Sequence, residues 1–303
     1  MCNKISVFTP TYNRAFILES LYKSLVNQKY SDFNWIIVDD GSTDNTQHLV
    51  DKWINEKRVK IIYKKQNNQG KHVAINRGVN LCDSELFFIV DSDDFISEDS
   101  LEKIVTFWDG NKNGDLISGI IALKKYYKKN KIVGTELPKG LLTATLTELY
   151  EKYNVTGDKV VIYRTDILKK FPFPTFKGEL FLLESIVFKK IDCVYKMLLL
   201  NEPIYFCEYL EDGLSQDFRK LYRENPRGFL ESFNMNLEES NILKNKIKSA
   251  AHLINLSLYL KDFKYVKKFS SKWFMIPAFP LALYLYIKIF IFKVSDVKSF
   301  NRQ

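Results

Sequence analysis

Three carboxylates stand within four residues at Asp91-Ser92-Asp93-Asp94, directly after the apolar run Leu86–Val90. So close together they repel one another, and burying them dry would be costly. Two readings fit. One is a solvated turn that caps the next helix. The other is an oxygen-ligand site for a divalent cation, because Mg2+ and Mn2+ accept one or two carboxylates and complete their shell with substrate phosphates. A second acidic segment, Asp39-Asp40-Gly41-Ser42-Thr43-Asp44, follows the apolar run Phe33–Val38. It can form a tight turn and cap a helix, and a carboxylate there can also accept hydrogen bonds from a nucleobase or ribose. No GxGxxG follows the first apolar run and no GxxxxGK[ST] occurs in the sequence. A dinucleotide site and a P-loop NTPase are both disfavoured.

The elements that must position these residues alternate along the first hundred positions. Apolar runs at Lys4–Thr9, Phe33–Val38, Val59–Tyr63 and Leu86–Val90 are separated by amphipathic segments at Arg14–Asn27, from Thr43 or Asp44 to about Asn55, and Lys71–Leu81. Continuous apolar strands with intervening helices describe βαβ units and a parallel sheet covered on both faces. The expected fold class is α/β, a doubly wound, mostly parallel sheet in a Rossmann-like α/β/α sandwich. In such sheets ligands bind beyond the carboxyl ends of the strands. Polar residues follow three of the four strands: Pro10-Thr11-Tyr12-Asn13, Asp39-Asp40-Gly41-Ser42 and Asp91-Ser92-Asp93-Asp94. All three should converge on one rim.

Further along, Ser97 reads as the N-cap of a helix running to about Trp108. Short strands are expected at Leu116–Leu123 and Val160–Arg164, with a Lys-rich hairpin or loop at Tyr126–Lys131 between them. The segment 172–185 leads into a helix ending near Tyr195, and Glu202–Tyr209 reads as one more strand before the loop Leu210–Ser215. With its glycine, the segment Tyr209–Ser215 could be a lid that excludes water, or a plain surface loop. The rest is mainly helical. This divides the chain into 1–110, 111–220 and 221–303.

The 303 residues carry a formal charge of +9, and nearly all of it lies late. From Leu221 onward fourteen Lys and Arg face six Asp and Glu. A nucleic-acid binder would place such a patch on its functional domain, so no nucleic-acid partner is expected. Four scattered cysteines without CxxC spacing and only three histidines argue against a zinc cage and for reduced thiols. The N-terminus lacks the charged and apolar regions of a signal peptide, so a cytoplasmic site of action is expected.

Taken together, Thr9-Pro10-Thr11-Tyr12-Asn13-Arg14, Val38-Asp39-Asp40-Gly41-Ser42-Thr43-Asp44, Asn68-Gln69-Gly70-Lys71 with Asn76-Arg77-Gly78, and Asp91-Ser92-Asp93-Asp94 resemble the family 2 glycosyltransferases of the GT-A fold, in their bacterial surface-polysaccharide type. The likeness covers residues 4–107, and four motifs in order are far more specific than any one. The resemblance implies an inverting hexosyl- or N-acetylhexosaminyltransferase that uses a nucleotide-sugar donor, typically UDP-linked, with Mn2+ or Mg2+. By position, Tyr12 and Asp40 would line the nucleobase pocket, with Pro10 and Arg14 shaping its wall and Lys71 near the nucleotide. Asp91 and Asp93, flanking Ser92, would form the DxD pair, the first near the ribose and sugar and the second on the metal. Asp94 is a further candidate ligand.

The family also implies a general base at the start of a helix in the second half, often the Asp of a Glu-Asp pair. Here the match is Leu183-Glu184-Ser185. Serine holds the usual Asp position, so Glu184 is the first candidate and Glu179 the second. Asp158 could touch donor sugar or acceptor. Two other classes stay open. A metal-dependent nucleotidyltransferase usually has a glycine-rich loop after its first strand, and Thr9–Arg14 has no glycine. A non-catalytic carbohydrate-binding protein on the same fold is favoured only by Ser185.

The end of the chain adds a separate expectation. Residues 274–292 are almost wholly apolar but contain Pro277, Pro280 and Lys288. Lys264, Lys267, Lys268 and Lys272 precede this run and Lys293 follows it. This is borderline for a span and fits a segment lying on an anionic membrane better. Core or oligomer packing is the alternative. The expected location is therefore cytoplasmic with peripheral membrane contact, and the expected acceptor a glycan or a lipid-linked oligosaccharide.

Overall fold

A computed structural model describes residues 3–112, 114–208, 218–240, 242–269 and 271–291. The chain forms two compact units, Met1–Phe173 with Val187–Gly213 and Pro174–Ile186 with Leu214–Gln303.

In the first unit β1 (Ile5–Thr11), β2 (Phe33–Asp39), β3 (Ile61–Lys65) and β4 (Leu86–Ile89) alternate with α1 (Leu18–Val26), α2 (Thr46–Glu56) and α3 (Lys71–Leu81). β1 lies between β2 and β4, and β3 lies outside β2, all in parallel. Every residue of β1 and β2 is buried, which is why both read as unbroken apolar runs. On one face Trp35 of β2, Tyr22 of α1 and Trp53 of α2 stack, with Tyr22 and Trp53 centroids 4.3 Å apart. The indole N–H of Trp35 is satisfied by Thr9 Oγ1 at 2.9 Å.

The rest of this unit contributes β5 (Phe95–Ile96), α4 (Ser100–Asn111), β6 (Ile117–Tyr126), β7 (Lys131–Ile132), β8 (Thr143–Ala144), α5 (Leu146–Glu151), β9 (Lys159–Arg164), α6 (Thr165–Lys170) and β10 (Lys196–Cys207). The strand order is β3-β2-β1-β4-β9-β6-β10-β5. β6 and β10 are parallel, β9 runs antiparallel to its neighbours β4 and β6, and β5 runs antiparallel to β10. The sheet is thus parallel through β3-β2-β1-β4 and β6-β10, as expected, and mixed elsewhere, with β5, β7, β8 and β9 pairing antiparallel. The chain between β4 and β5 crosses the carboxyl rim of the sheet, and that crossing is the acidic segment 91–94.

Several boundaries differ from the sequence expectation. α1 starts at Leu18 instead of Arg14, because Asn13 takes a left-handed turn at φ 53° and Ala15 N–H is held by Asp44 Oδ2 at 3.0 Å. Ser97 does not cap α4; its hydroxyl binds Asp99 Oδ1 at 2.7 Å and the helix opens at Ser100. The helix expected to reach Tyr195, α7 (Ser185–Asp192), ends early, and β10 starts at Lys196, six residues before Glu202, with the apolar run Met197–Leu200 in its first part. The expected hairpin at 126–131 is the β6–β7 turn.

The second unit is helical, as expected: α8 (Phe218–Glu224), α9 (Pro226–Glu239), α10 (Leu243–Leu260), α11 (Lys264–Phe269) and α12 (Met275–Tyr286), followed by a π-helical turn at Ile287–Ile291. Pro226 opens α9, where its missing N–H costs nothing. The core gathers Tyr222, Phe229, Leu253 and Leu256 around the small residues Ala250, Ala251, Ala278 and Ala282. Among the described residues no helix is long and apolar enough to cross a membrane. The lid expected at Tyr209–Ser215 and the end of the apolar run, Phe292 and Lys293, lie outside the described residues.

Candidate active site

The three polar segments meet at the carboxyl ends of the adjacent strands β2, β1 and β4. The first two are laced together. Asn13 N–H donates to Ser42 Oγ at 2.8 Å, and Thr43 N–H donates to Asn13 Oδ1 at 2.8 Å. Asp39 is buried, accepting from Ser42 N–H at 2.7 Å and from the Tyr63 hydroxyl at 2.6 Å. Pro10 is buried in β1, past Phe8, the last β1 residue paired with β4. Tyr12 is 46 % exposed, leaving its ring open to a flat partner. Arg14 is partly exposed, its guanidinium 5.9 Å from the Phe16 ring.

Asp40, expected at the nucleobase pocket, is buried and engaged with its own chain. Oδ1 accepts from Gln66 Nε2 at 2.8 Å and Gln69 N–H at 2.9 Å, and Oδ2 accepts from Gly70 N–H at 2.7 Å. A carboxylate has about four lone-pair positions, so three are taken. The clamp needs close backbone approach: a Cβ on Gly41, which sits at φ +89°, would stand 2.9 Å from Asn68 N. Its effect is to fix Gly70 at the start of α3, and with it Lys71.

Lys71 Nζ lies 2.7 Å from Asp91 Oδ1. Burial alone would raise the Asp91 pKa, but the positive charges of Lys71, Lys124 and Arg14 outweigh it and hold the carboxyl below its usual range. Asp94 points the other way, into the protein. It is buried, 3.0 Å from Lys124 Nζ of β6 and 2.7 Å from the Tyr205 hydroxyl of β10, which donates to it. Burial pushes its pKa up to about 6, against the pull of Lys124 and with some help from Asp91. The same Tyr205 hydroxyl accepts from Asp91 N–H at 3.0 Å. Ser92 is buried, and Asp93 is partly exposed. Among the described residues, none donates a hydrogen bond to the Asp93 carboxylate.

This donor set suits a cation shared with a substrate better than a closed metal site. Among the described residues no three His, Cys, Asp or Glu side chains gather to hold an ion alone. Asp93, with Asp91 beside it, gives the one or two carboxylates that Mg2+ or Mn2+ takes when phosphates supply the rest. Lys124 Nζ and the Tyr205 hydroxyl both meet Asp94 at Oδ2, which gives that oxygen a bracing position.

The two candidate bases lie in the second unit and differ sharply. Glu179 is buried, and its oxygens accept from Arg227 N–H at 2.9 Å and Gly228 N–H at 2.8 Å, capping α9. Burial raises its pKa, partly offset by those two N–H groups. Glu184 is partly exposed, immediately before α7. Asp158 is exposed just before β9.

Tyr205 and Lys124 were not among the residues expected in the site. Lys124 is the first of two lysines near the end of β6 and Tyr205 a polar residue near the end of β10, and Tyr205 meets Asp94 across 111 positions of chain. The visible signal was only that polarity.

The sequence pattern of Glycosyl transferase family 2 matches residues 6–185, more than half of the chain. The chain belongs to glycosyl transferase family 2. Within the family it is similar to the poly(ribitol-phosphate) beta-N-acetylglucosaminyltransferases of Staphylococcus aureus. It is 29% identical to TarS over 171 residues, 55% of this chain and 28% of that protein. It is 33% identical to TarP over 176 residues, 55% of this chain and 48% of that protein. The chain therefore matches less than half the length of either relative. Solved structures share the fold. TarS 1-349 in complex with UDP-GlcNAc superposes with a TM-score of 0.59 at 23% identity, covering 94% of this chain and 81% of that one. The mannosyltransferase PcManGT from Pyrobaculum calidifontis, in complex with GDP-Man and Mn2+, gives 0.53 at 15% identity, covering 94% and 88%. The GT-A-like architecture implied by the four motifs is the fold of this chain.

Proposed function

We propose that this family 2 member is an inverting glycosyltransferase that moves a sugar from a nucleotide-sugar donor, UDP-linked, to a hydroxyl of a glycan or lipid-linked oligosaccharide. The observation that carries this reading is the rim itself: an exposed aromatic at Tyr12, the cations Lys71 and Arg14, and the Asp93 carboxylate, to which no side chain donates among the described residues, stand around the ends of three adjacent strands. A nucleoside diphosphate needs these groups, a face for the base, positive charge for the phosphates and an anchor for their counter-ion. The relatives TarS and TarP, named as N-acetylglucosaminyltransferases, and the solved complex of TarS with UDP-GlcNAc support the donor class.

In this reading Tyr12 stacks on the base, while Pro10 and the Asp40 clamp fix the wall behind it. Lys71 and Arg14 face the diphosphate, and Asp91 orients Lys71 and reaches the ribose or sugar. Mn2+ or Mg2+ bound at Asp93 would supply Lewis-acid stabilisation of charge on the departing phosphate. Glu184, partly exposed immediately before α7, takes the proton of the acceptor hydroxyl. The freed oxygen bonds to the anomeric carbon from the face opposite the phosphate. The sugar–phosphate C–O bond breaks with its electron pair leaving on the nucleoside diphosphate, so the configuration inverts.

Calorimetric titration of the full chain with UDP-GlcNAc, UDP-glucose and GDP-mannose, each with and without Mn2+, tests the donor assignment. Saturable binding of a UDP-sugar that strengthens with Mn2+ is expected. No binding of any sugar nucleotide would refute it.

A further inference from the structure

α12 buries its small side. Met275, Ala278 and Ala282 pack into the core of the second unit together with Phe274 before the helix and Ile289 after it. The other side carries large residues and leaves them bare: Ile276 is 78 % exposed and Phe279 61 %, with Leu283, Tyr284 and Ile287 following at helical spacing, and Trp273 in the turn just before the helix is 64 % exposed. A helix on a soluble surface turns polar residues outward, and a core helix would bury its aromatics first because they bring the most apolar area. This helix does neither, so its outer face is built to be covered.

The charge around it says by what. From Phe263 to Ile291 the sequence holds five lysines and no Asp or Glu. Lys264, Lys267, Lys268, Lys272 and Lys288 are all exposed. Lys268 meets Glu238 and Lys288 lies over the Tyr284 ring at 5.7 Å, the latter putting a cation at the edge of the bare face. The run from Met275 to Ile291 spans roughly 25 Å at the rise of a helix, short of a crossing but long enough to lie flat. An exposed Trp beside basic residues is the composition that settles at the lipid headgroup level.

We infer that the outer face of α12, with its flanking lysines, docks the protein on an anionic lipid surface such as the inner leaflet of a plasma membrane. The inference goes beyond the transfer reaction and does not depend on it. Docking would hold the enzyme in the plane where lipid-linked acceptors reside.

The test is co-sedimentation of the full chain with vesicles of phosphatidylcholine alone or mixed with phosphatidylglycerol, without nucleotide. Binding to the anionic vesicles only is expected, and raising the salt should weaken it about tenfold or more, as for several lysines near a charged surface. Ile276→Ser and Phe279→Ser, at exposed positions, should abolish pelleting while leaving circular dichroism and thermal unfolding unchanged. Failure to bind anionic vesicles would overturn the inference. So would equal binding to neutral vesicles, or wild-type binding by both variants. Self-association that the variants abolish, without vesicle binding, would assign the face to a second copy instead. Sugar-nucleotide titration of the same preparations keeps this result separate from that of the donor site.

Discussion

The Tyr205 hydroxyl holds both ends of the acidic turn: it accepts from Asp91 N–H at 3.0 Å and donates to Asp94 at 2.7 Å. Lys124 completes the brace, 3.0 Å from Asp94 and over the Tyr205 ring at 4.5 Å. Three carboxylates thereby divide their work. One faces Lys71, one is buried as a strut, and Asp93 is the one that the proposed function assigns to the substrate side.

Tyr205→Phe removes that hydroxyl and keeps the ring packed against Phe88. Leaving the buried Asp94 with one partner fewer should cost about 1–3 kcal/mol, measured by urea denaturation. Turnover should fall by more than donor affinity does, because the turn is loosened and no donor contact is removed.

Lys71→Met should lower kcat/KM about 100-fold or more, the scale for removing one group that stabilises developing charge. Lys71→Arg should recover part of it. Steady-state release of nucleoside diphosphate measures both, and a Lys71→Met enzyme as active as wild type would remove Lys71 from the site.

Asp40→Asn puts an amide against the donors Gln66 Nε2, Gln69 N–H and Gly70 N–H. Stability should drop by about 1–3 kcal/mol, and donor affinity should fall with it because α3 and Lys71 lose their anchor. Thermal unfolding paired with nucleotide titration checks the coupling.

His252 sets an acid limit on the second unit. It is buried, stacked on Phe233 at 4.4 Å, with Nδ1 3.1 Å from the Tyr222 hydroxyl. Burial, aided by Lys248, depresses its pKa from 6.5 to about 4. The folded state therefore keeps the ring neutral while the unfolded chain takes up a proton below pH 6.5. Stability present above that pH is lost progressively as pH falls toward 4, by about 2 kcal/mol at pH 5. Comparing urea unfolding at pH 7 and pH 5 for wild type and His252→Leu isolates the term. The variant should show a shallower loss.

The sheet's first half was legible because β1, β2 and β4 are buried on both faces and so read as apolar runs, with motif residues at their ends. β5 and the early start of β10 were not. Two residues carry no period, and Met197–Leu200 is apolar without distinguishing strand from helix. In the site, residue types located the rim, but hydrogen bonding decided who does what. Asp40 and Glu179 are carboxylates in plausible places whose oxygens accept from their own chain, Asp40 from the Gln66 side-chain amide and two backbone N–H groups and Glu179 from two backbone N–H groups, and only those partners reveal it. Tyr205 and Lys124 brace the turn from 111 and 30 positions away in the chain, a pairing that local sequence does not encode.

The central claim, a nucleotide-sugar transferase whose turn presents Asp93, is tested most directly by release of UDP from a UDP-sugar in the presence of Mn2+. Wild type should turn over, with Asp93→Asn reduced about 100-fold or more at unchanged thermal stability, since no described side chain leans on that carboxylate. Equal UDP release by the wild type and Asp93→Asn would contradict it.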